Sequence, residues 1–348
     1  MRVPGTGNLY RVGRWIKARF GSQVLILLYH RVADLQLDPQ LLAVTPEHFA
    51  EHLEILTRYS RPMSLQGLIV ALRNGCLPRQ AVVVTFDDGY ADNLSCAKPL
   101  LERYDIPATV FVTAGYIGGK REFWWDELER LILEPGGLPE VLRVNINGSV
   151  SQWELGEASD YSDESYRQHC HWNVEQKHDP CLRHRLYRSL CPLLRPLSDG
   201  ERQSVLDELL AWAGAESVSR PTHRTLSPDE VVCLADGNLV EIGAHAVTHP
   251  VLSGMPAGLQ RTEIRQSKTW LEEILGRGVS SFAYPFGTRS SYTQETVGMV
   301  REAGFMSACS NFRGLVQNGV NPYELPRYLV RNWPGEDFAH RLREWLSI

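Results

Sequence analysis

Apolar and polar positions fall into short blocks along the chain. VLILLY (24–29), AVVVTF (81–86) and ATVFVT (108–113) are runs of β-branched, aliphatic and aromatic residues. Such runs mark strands buried on both faces. Further strands are expected at 239–243, 280–284, near 305–309 and at 325–330. Between them the apolar spacing turns helical. One helix starts at Thr45-Pro46, with threonine as cap and proline in the first turn. Ser64 caps a second, which Gly75 closes. Others are expected at 92–104, 259–275, 292–303 and 336–346. About seven strands separated by helices predict an α/β chain with a parallel sheet, and seven units favour a barrel-like closure. In barrels, chemistry sits at the C-terminal ends of the strands.

Residues 120–235 break this rhythm. They hold FWWDELERLIL, a Gly/Pro stretch and a polar, acid-rich segment. We read them as a largely helical insertion, a lid or side lobe within a barrel made of residues 23–119 and 236–348. Residues 1–22 stand apart. Leu9, Val12, Ile16 and Phe20 share one helical face there, flanked by Arg11, Arg14, Lys17 and Arg19. A basic amphipathic helix of this kind either covers a core or lies on an anionic membrane surface.

Composition narrows the function classes. Lys and Arg total 36 against 41 Asp and Glu, a net charge of −5, which disfavours a nucleic-acid partner. Seven cysteines without a CxxC pair fit reduced thiols, hence a cytoplasmic protein, better than a disulfide framework.

Three stretches carry candidate chemistry. The strand 81–86 runs into Asp87, Asp88 and Gly89. Adjacent carboxylates at a strand end point to different sides, so one can bind a cation while the other moves protons. The same pair could instead cap and open a helix. GAHAVTHP (243–250) places His245 and His249 four apart after another strand. On one turn they can share a metal, although they could also be two polar loop residues. FAYPFG (282–287) ends a third strand in a turn, whose Phe286 N–H is available to a developing oxyanion.

Taken in order, TFDDG (85–89), HAVTHP (245–250) and YPFG (284–287) resemble the motifs of the NodB-homology polysaccharide deacetylases, carbohydrate esterase family four. The resemblance spans roughly residues 24–115 and 237–335. It implies a distorted (β/α)7 barrel and metal-dependent removal of acetyl groups from an N-acetyl sugar. By position, Asp87 would be the general base. Asp88, His245 and His249 would hold the metal, most often zinc, and the Phe286 backbone would help bind the oxyanion.

The chain departs from the family pattern at three places. Ala246 stands where a hydroxyl residue usually follows the first histidine. Ala283 stands where an arginine usually holds the base, and Arg327 in ELPR (324–327) is expected to pair with Asp87 instead. The usual late histidine is missing. LLYHRV (27–32) resembles the variant that carries it on the first strand, so His30 is the expected general acid, with His340 as rival. Tyr284, Trp124, Trp125 and Trp333 are candidate contacts for sugar rings; packing is the alternative role for the tryptophans.

The expected substrate is an N-acetylated glycan, either a polymer or a lipid-linked intermediate of envelope or exopolysaccharide synthesis. In the lipid-linked case residues 9–20 would touch the inner membrane face. Two alternatives remain: removal of another acyl group such as formyl, and a carbohydrate-binding module that has lost catalysis.

Overall fold

The computed structural model describes residues 23–146 and 148–346. The basic stretch 9–20 lies outside them. The three leading apolar runs form the centre of one sheet. Strand β1 (Val24–Tyr29) pairs in parallel with β2 (Ala81–Phe86), which pairs with β3 (Ala108–Val112). Every residue of these strands is buried, because helices cover one face and the barrel interior fills the other. The sheet continues through β4 (Val240–Ala244), β5 (Ser281–Ala283) and β6 (Ser307–Cys309), while β7 (Tyr328–Leu329) flanks β1. The order is β6-β5-β4-β3-β2-β1-β7 with every pair parallel. A short strand, Arg61–Pro62, pairs with the start of β2.

The sheet curls until its ends meet. The Leu325 N–H donates to the Ala308 carbonyl, and the Ser310 N–H donates back to the Leu325 carbonyl. The chain ahead of β7 thus lies along β6. This brings Arg327 over the barrel interior.

Helices α1 (Pro46–Tyr59), α2 (Leu65–Arg73) and α3 (Lys98–Tyr104) link the first strands. The expected helix over 92–104 is split. Residues 93–97 form a wide π turn before α3, because Pro99 has no N–H to complete a regular α turn.

The insertion builds its own core. Helices α4 (Trp124–Leu133), α6 (Leu182–Leu194) and α7 (Asp199–Ala213) pack around Leu128, Ile132, Leu186, Leu190, Leu206 and Leu209. A short helix α5 (Asp163–His169) and an antiparallel hairpin, Val141–Ile146 with Ser149–Glu154, complete it. Buried Arg183 binds it together, donating to the carbonyls of Ile132, Glu134, Gly136, Ala158 and Ser159. From Leu226 on, side chains return to the barrel core. There α8 (Pro228–Ala235), α9 (Ala257–Leu275), α10 (Gln294–Glu302) and α11 (Gly335–Leu346) follow.

Candidate active site

The C-terminal ends of β1, β2, β4, β5 and β7 open into one cavity of about 560 Å³. Its lining includes His30, Asp87, Asp88, His245, His249 and Phe286 from the barrel, and Trp124 and Trp125 from α4.

Asp87 extends the sheet by one bond, its N–H donating to the Tyr29 carbonyl. Asp88 then turns left-handed, at φ 76°, and Gly89 follows at φ 85°. A Cβ on Gly89 would come within 2.9 Å of Val112, so only glycine fits this turn. The two carboxylates therefore leave the chain in different directions. Asp87 accepts two parallel hydrogen bonds from Arg327, Nη1 to Oδ1 and Nη2 to Oδ2, both 2.7 Å. Arg327 itself is set by the carbonyl of Ser310 at 2.8 Å and the hydroxyl of Thr85 at 3.2 Å. Burial alone would lift the Asp87 carboxyl; Arg327, with His245, holds it below the usual carboxylate range.

Asp88 faces the two histidines instead. Its Oδ1 lies 3.6 Å from His245 Nε2 and 3.4 Å from His249 Nε2. The His245 Nδ1–H donates to the Ala283 carbonyl at 2.8 Å, which leaves Nε2 with its lone pair toward Asp88. Burial pushes both imidazoles down, toward the neutral form that ligates metals. Burial also pushes Asp88 well above its usual range, and the nearby charges of Asp87 and Asp126 add to this. A carboxylate strained by like charges beside two neutral imidazoles, all within 4.8 Å, suits a divalent cation.

Glu263 of α9 secures this loop. Its Oε2 accepts the N–H groups of Val247 and Thr248 at 2.8 and 2.9 Å, and its Oε1 accepts the Thr248 hydroxyl at 2.8 Å. It supplies the support that Ala246 cannot. No local signal near 245–249 points to it.

His30 lines the cavity beside these groups. Burial pushes its imidazole down to about 3, although Asp87 pulls the other way. His340 is exposed on α11, away from the cavity. Phe286 has a left-handed backbone, φ 61°, and its ring packs on His249 at 4.6 Å. Its N–H donates to no backbone carbonyl among the described residues.

Two expected substrate contacts, Tyr284 and Trp333, are not among the residues lining the cavity. Tyr284 is fully buried behind the cavity, its hydroxyl donating to the Tyr323 carbonyl and its ring stacked on Tyr292 at 3.9 Å. Trp333 packs outside the barrel against Trp345, with Arg341 over its ring. The sequence reading also missed three arginines on the cavity wall, Arg188, Arg195 and Arg331.

Asp126, Glu129 and His223 form a second close group. There Arg220 already donates to Glu129 at 2.7 Å, and the Tyr90 hydroxyl donates to Asp126 at 2.6 Å.

Residues 74–136 and 211–308 match the family model described as polysaccharide deacetylase. Those two ranges are similar to a polysaccharide deacetylase domain. The matched ranges contain Asp87, Asp88, His245, His249 and Phe286 and leave out His30 and Arg327. Among curated proteins, the chain is 25% identical over 150 residues to YxkH of Bacillus subtilis (strain 168), whose name provisionally assigns it as a polysaccharide deacetylase. That match covers 42% of this chain and 52% of YxkH, so the chain spans about half the length of this relative. Among solved structures, the Streptococcus pyogenes deacetylase PplD, determined with acetate, superposes with a TM-score of 0.56 at 17% identity. It covers 92% of this chain and 99% of PplD. IcaB from Ammonifex degensii superposes with a TM-score of 0.58 at 18% identity, over 94% of this chain and 98% of IcaB. These two likenesses are of fold. No helix among the described residues is long and apolar enough to cross a membrane.

Proposed function

We propose that this chain hydrolyses the N-acetyl group of an amino sugar within a polysaccharide or glycan intermediate. One observation carries the reading. A carboxylate clamped by arginine, Asp87, sits beside three residues that could hold a cation, all lining one cavity of about 560 Å³.

Asp88, His245 and His249 would hold the cation, zinc by the preference of two imidazoles and one carboxylate. When bound, that ion polarises the acetamide carbonyl and makes water more acidic. Asp87 stays ionised under Arg327 and takes the proton of the attacking water. The Phe286 N–H faces the negative charge that develops on the carbonyl oxygen. His30, which burial keeps neutral at rest, would take up the proton released from the water through Asp87 and hand it to the departing amine. Trp124 and Trp125, largely buried in the cavity wall, would meet the sugar through the small part they expose, and the insertion would close the cavity as a lid.

Two further points belong to the proposal. The seven free cysteines favour a reducing compartment. A lipid-linked substrate would suit the basic stretch 9–20.

The test is acetate release from N-acetylated glycans by zinc-loaded protein, chelated protein and Asp87→Asn. Release that needs both zinc and Asp87 supports the reading. Formate release from N-formyl sugars, with acetate untouched, would replace the acyl group. No release of either, with the sugar still bound, would leave a binding module.

A further inference from the structure

Three guanidinium groups line the cavity, and two of them are committed. Arg188 donates to Asp179 and to the carbonyls of Val174 and Gln176. Arg331 donates to Glu175 and to the carbonyl of Leu41. Arg195 differs: its side chain has no acceptor and no carboxylate among the described residues. It follows the last residue of α6, where helix carbonyls tolerate a positive charge. Its guanidinium lies 4.0 Å from the centre of the Phe286 ring. The same ring packs against His249 at 4.6 Å. A half-buried fork of five donors thus stands one aromatic ring away from the cation site, with nothing to bind.

The cavity offers no free anion to answer it. Asp87 is neutralised by Arg327, and Asp88 belongs with the histidines. Contact with the Phe286 ring holds the guanidinium at the cavity wall, and no acceptor among the described residues takes its N–H groups, which leaves them to recognise an oxyanion.

We propose that Arg195 anchors an acidic group, a carboxylate or a phosphate, on the sugar next to the N-acetyl group under attack. This rests on the deacetylase reading and narrows it: the substrate is an anionic glycan. A neutral N-acetylglucosamine polymer would leave the donors of Arg195 unanswered. Arg195 is then a specificity residue, and Phe286 has two tasks, its backbone toward the reacting carbonyl and its ring under Arg195.

The experiment compares three matched oligosaccharides of N-acetylglucosamine: one neutral, one with alternating glucuronic acid, one with a phosphodiester link. Full-length zinc-loaded protein, Arg195→Gln and Arg195→Lys are assayed for kcat and KM. Binding to the chelated protein is followed in parallel by tryptophan fluorescence. The native protein should favour one acidic oligosaccharide. Arg195→Gln should raise the KM for it roughly ten- to hundredfold, the range of a charge-assisted hydrogen bond, and leave its kcat near native. The neutral oligosaccharide should respond little. Arg195→Lys should recover part of the loss. The preferred acidic arm separates carboxylate from phosphate. Equal loss on neutral and acidic substrates, or no acidic preference in the native protein, overturns the proposal. If no acetate appears but acidic glycan still binds in an Arg195-dependent way, the anion site stands and the deacetylase reading falls.

Discussion

Arg327 holds both carboxylate oxygens of Asp87 at 2.7 Å across 240 residues of sequence. Both groups are buried, and among the described residues each is the other's closest opposite charge. Removing Arg327 leaves a buried, unpaired carboxylate.

Arg327→Met should therefore cost roughly 3–5 kcal/mol of stability. It should also lose most of the activity that Asp87→Asn loses, about 10²- to 10⁴-fold in kcat. The double variant Arg327→Met with Asp87→Asn should recover part of the stability and none of the activity. Urea melts and kcat on the same samples check this. A stable, active Arg327→Met would remove Arg327 from the site.

Glu263→Ala strips the acceptor from two backbone N–H groups under the loop that carries His245 and His249. Zinc affinity should fall about 10- to 100-fold, as when the outer support of a metal ligand is lost. Titration with a zinc-buffered chelator measures it. Unchanged affinity would mean that the loop holds its shape without Glu263.

How much of this was visible in the sequence depends on how local the signal is. Asp87-Asp88-Gly89 and the His245/His249 pair are contiguous motifs, and the apolar runs around them set the strands. Arg327 was found because Ala283 left a buried carboxylate without a partner, and one basic residue lay on a neighbouring strand. Glu263 and Arg195 had no such trail, since only tertiary folding brings α9 and α6 to the cavity. Tyr284 was misplaced because adjacency in a motif does not tell which side a side chain takes. Its neighbour Ala283 presents a carbonyl to His245, while Tyr284 turns into the wall. The insertion hairpin was overlooked although Gly148, at φ 81°, follows an asparagine between two runs of strand-like residues.

Tyr284→Phe follows from that correction. It should leave KM unchanged and cost about 1 kcal/mol, the value of one buried hydrogen bond to the Tyr323 carbonyl. A raised KM would return Tyr284 to the substrate.

Acid should weaken the fold through His52. Its Nε2–H donates to the Trp333 carbonyl at 2.7 Å, its ring stacks on Phe338, and burial pushes its imidazole down to about 4. In the unfolded chain it titrates near 6.5. The unfolded state thus binds more protons between about pH 6.5 and 4, and stability falls as pH drops through that window. The loss from this residue is at most about 3 kcal/mol. His52→Gln should flatten the difference between melts at pH 7 and pH 4.5. An equally steep difference in the variant would assign it to other groups.

Asp88, Ala246, His249 and Phe286 all hold left-handed backbone conformations that side chains resist. They lie on three loops after three different strands, so the tension is shared and no single loop can relax without shifting its neighbour's partner. Residue 246 shows what this means for adaptation. Glycine there would ease the chain by about 1 kcal/mol and free His245 to drift. A lineage selected only for heat tolerance would drift toward that glycine, and one selected for turnover would keep the alanine. The cavity rim is where durability and chemistry compete in this molecule.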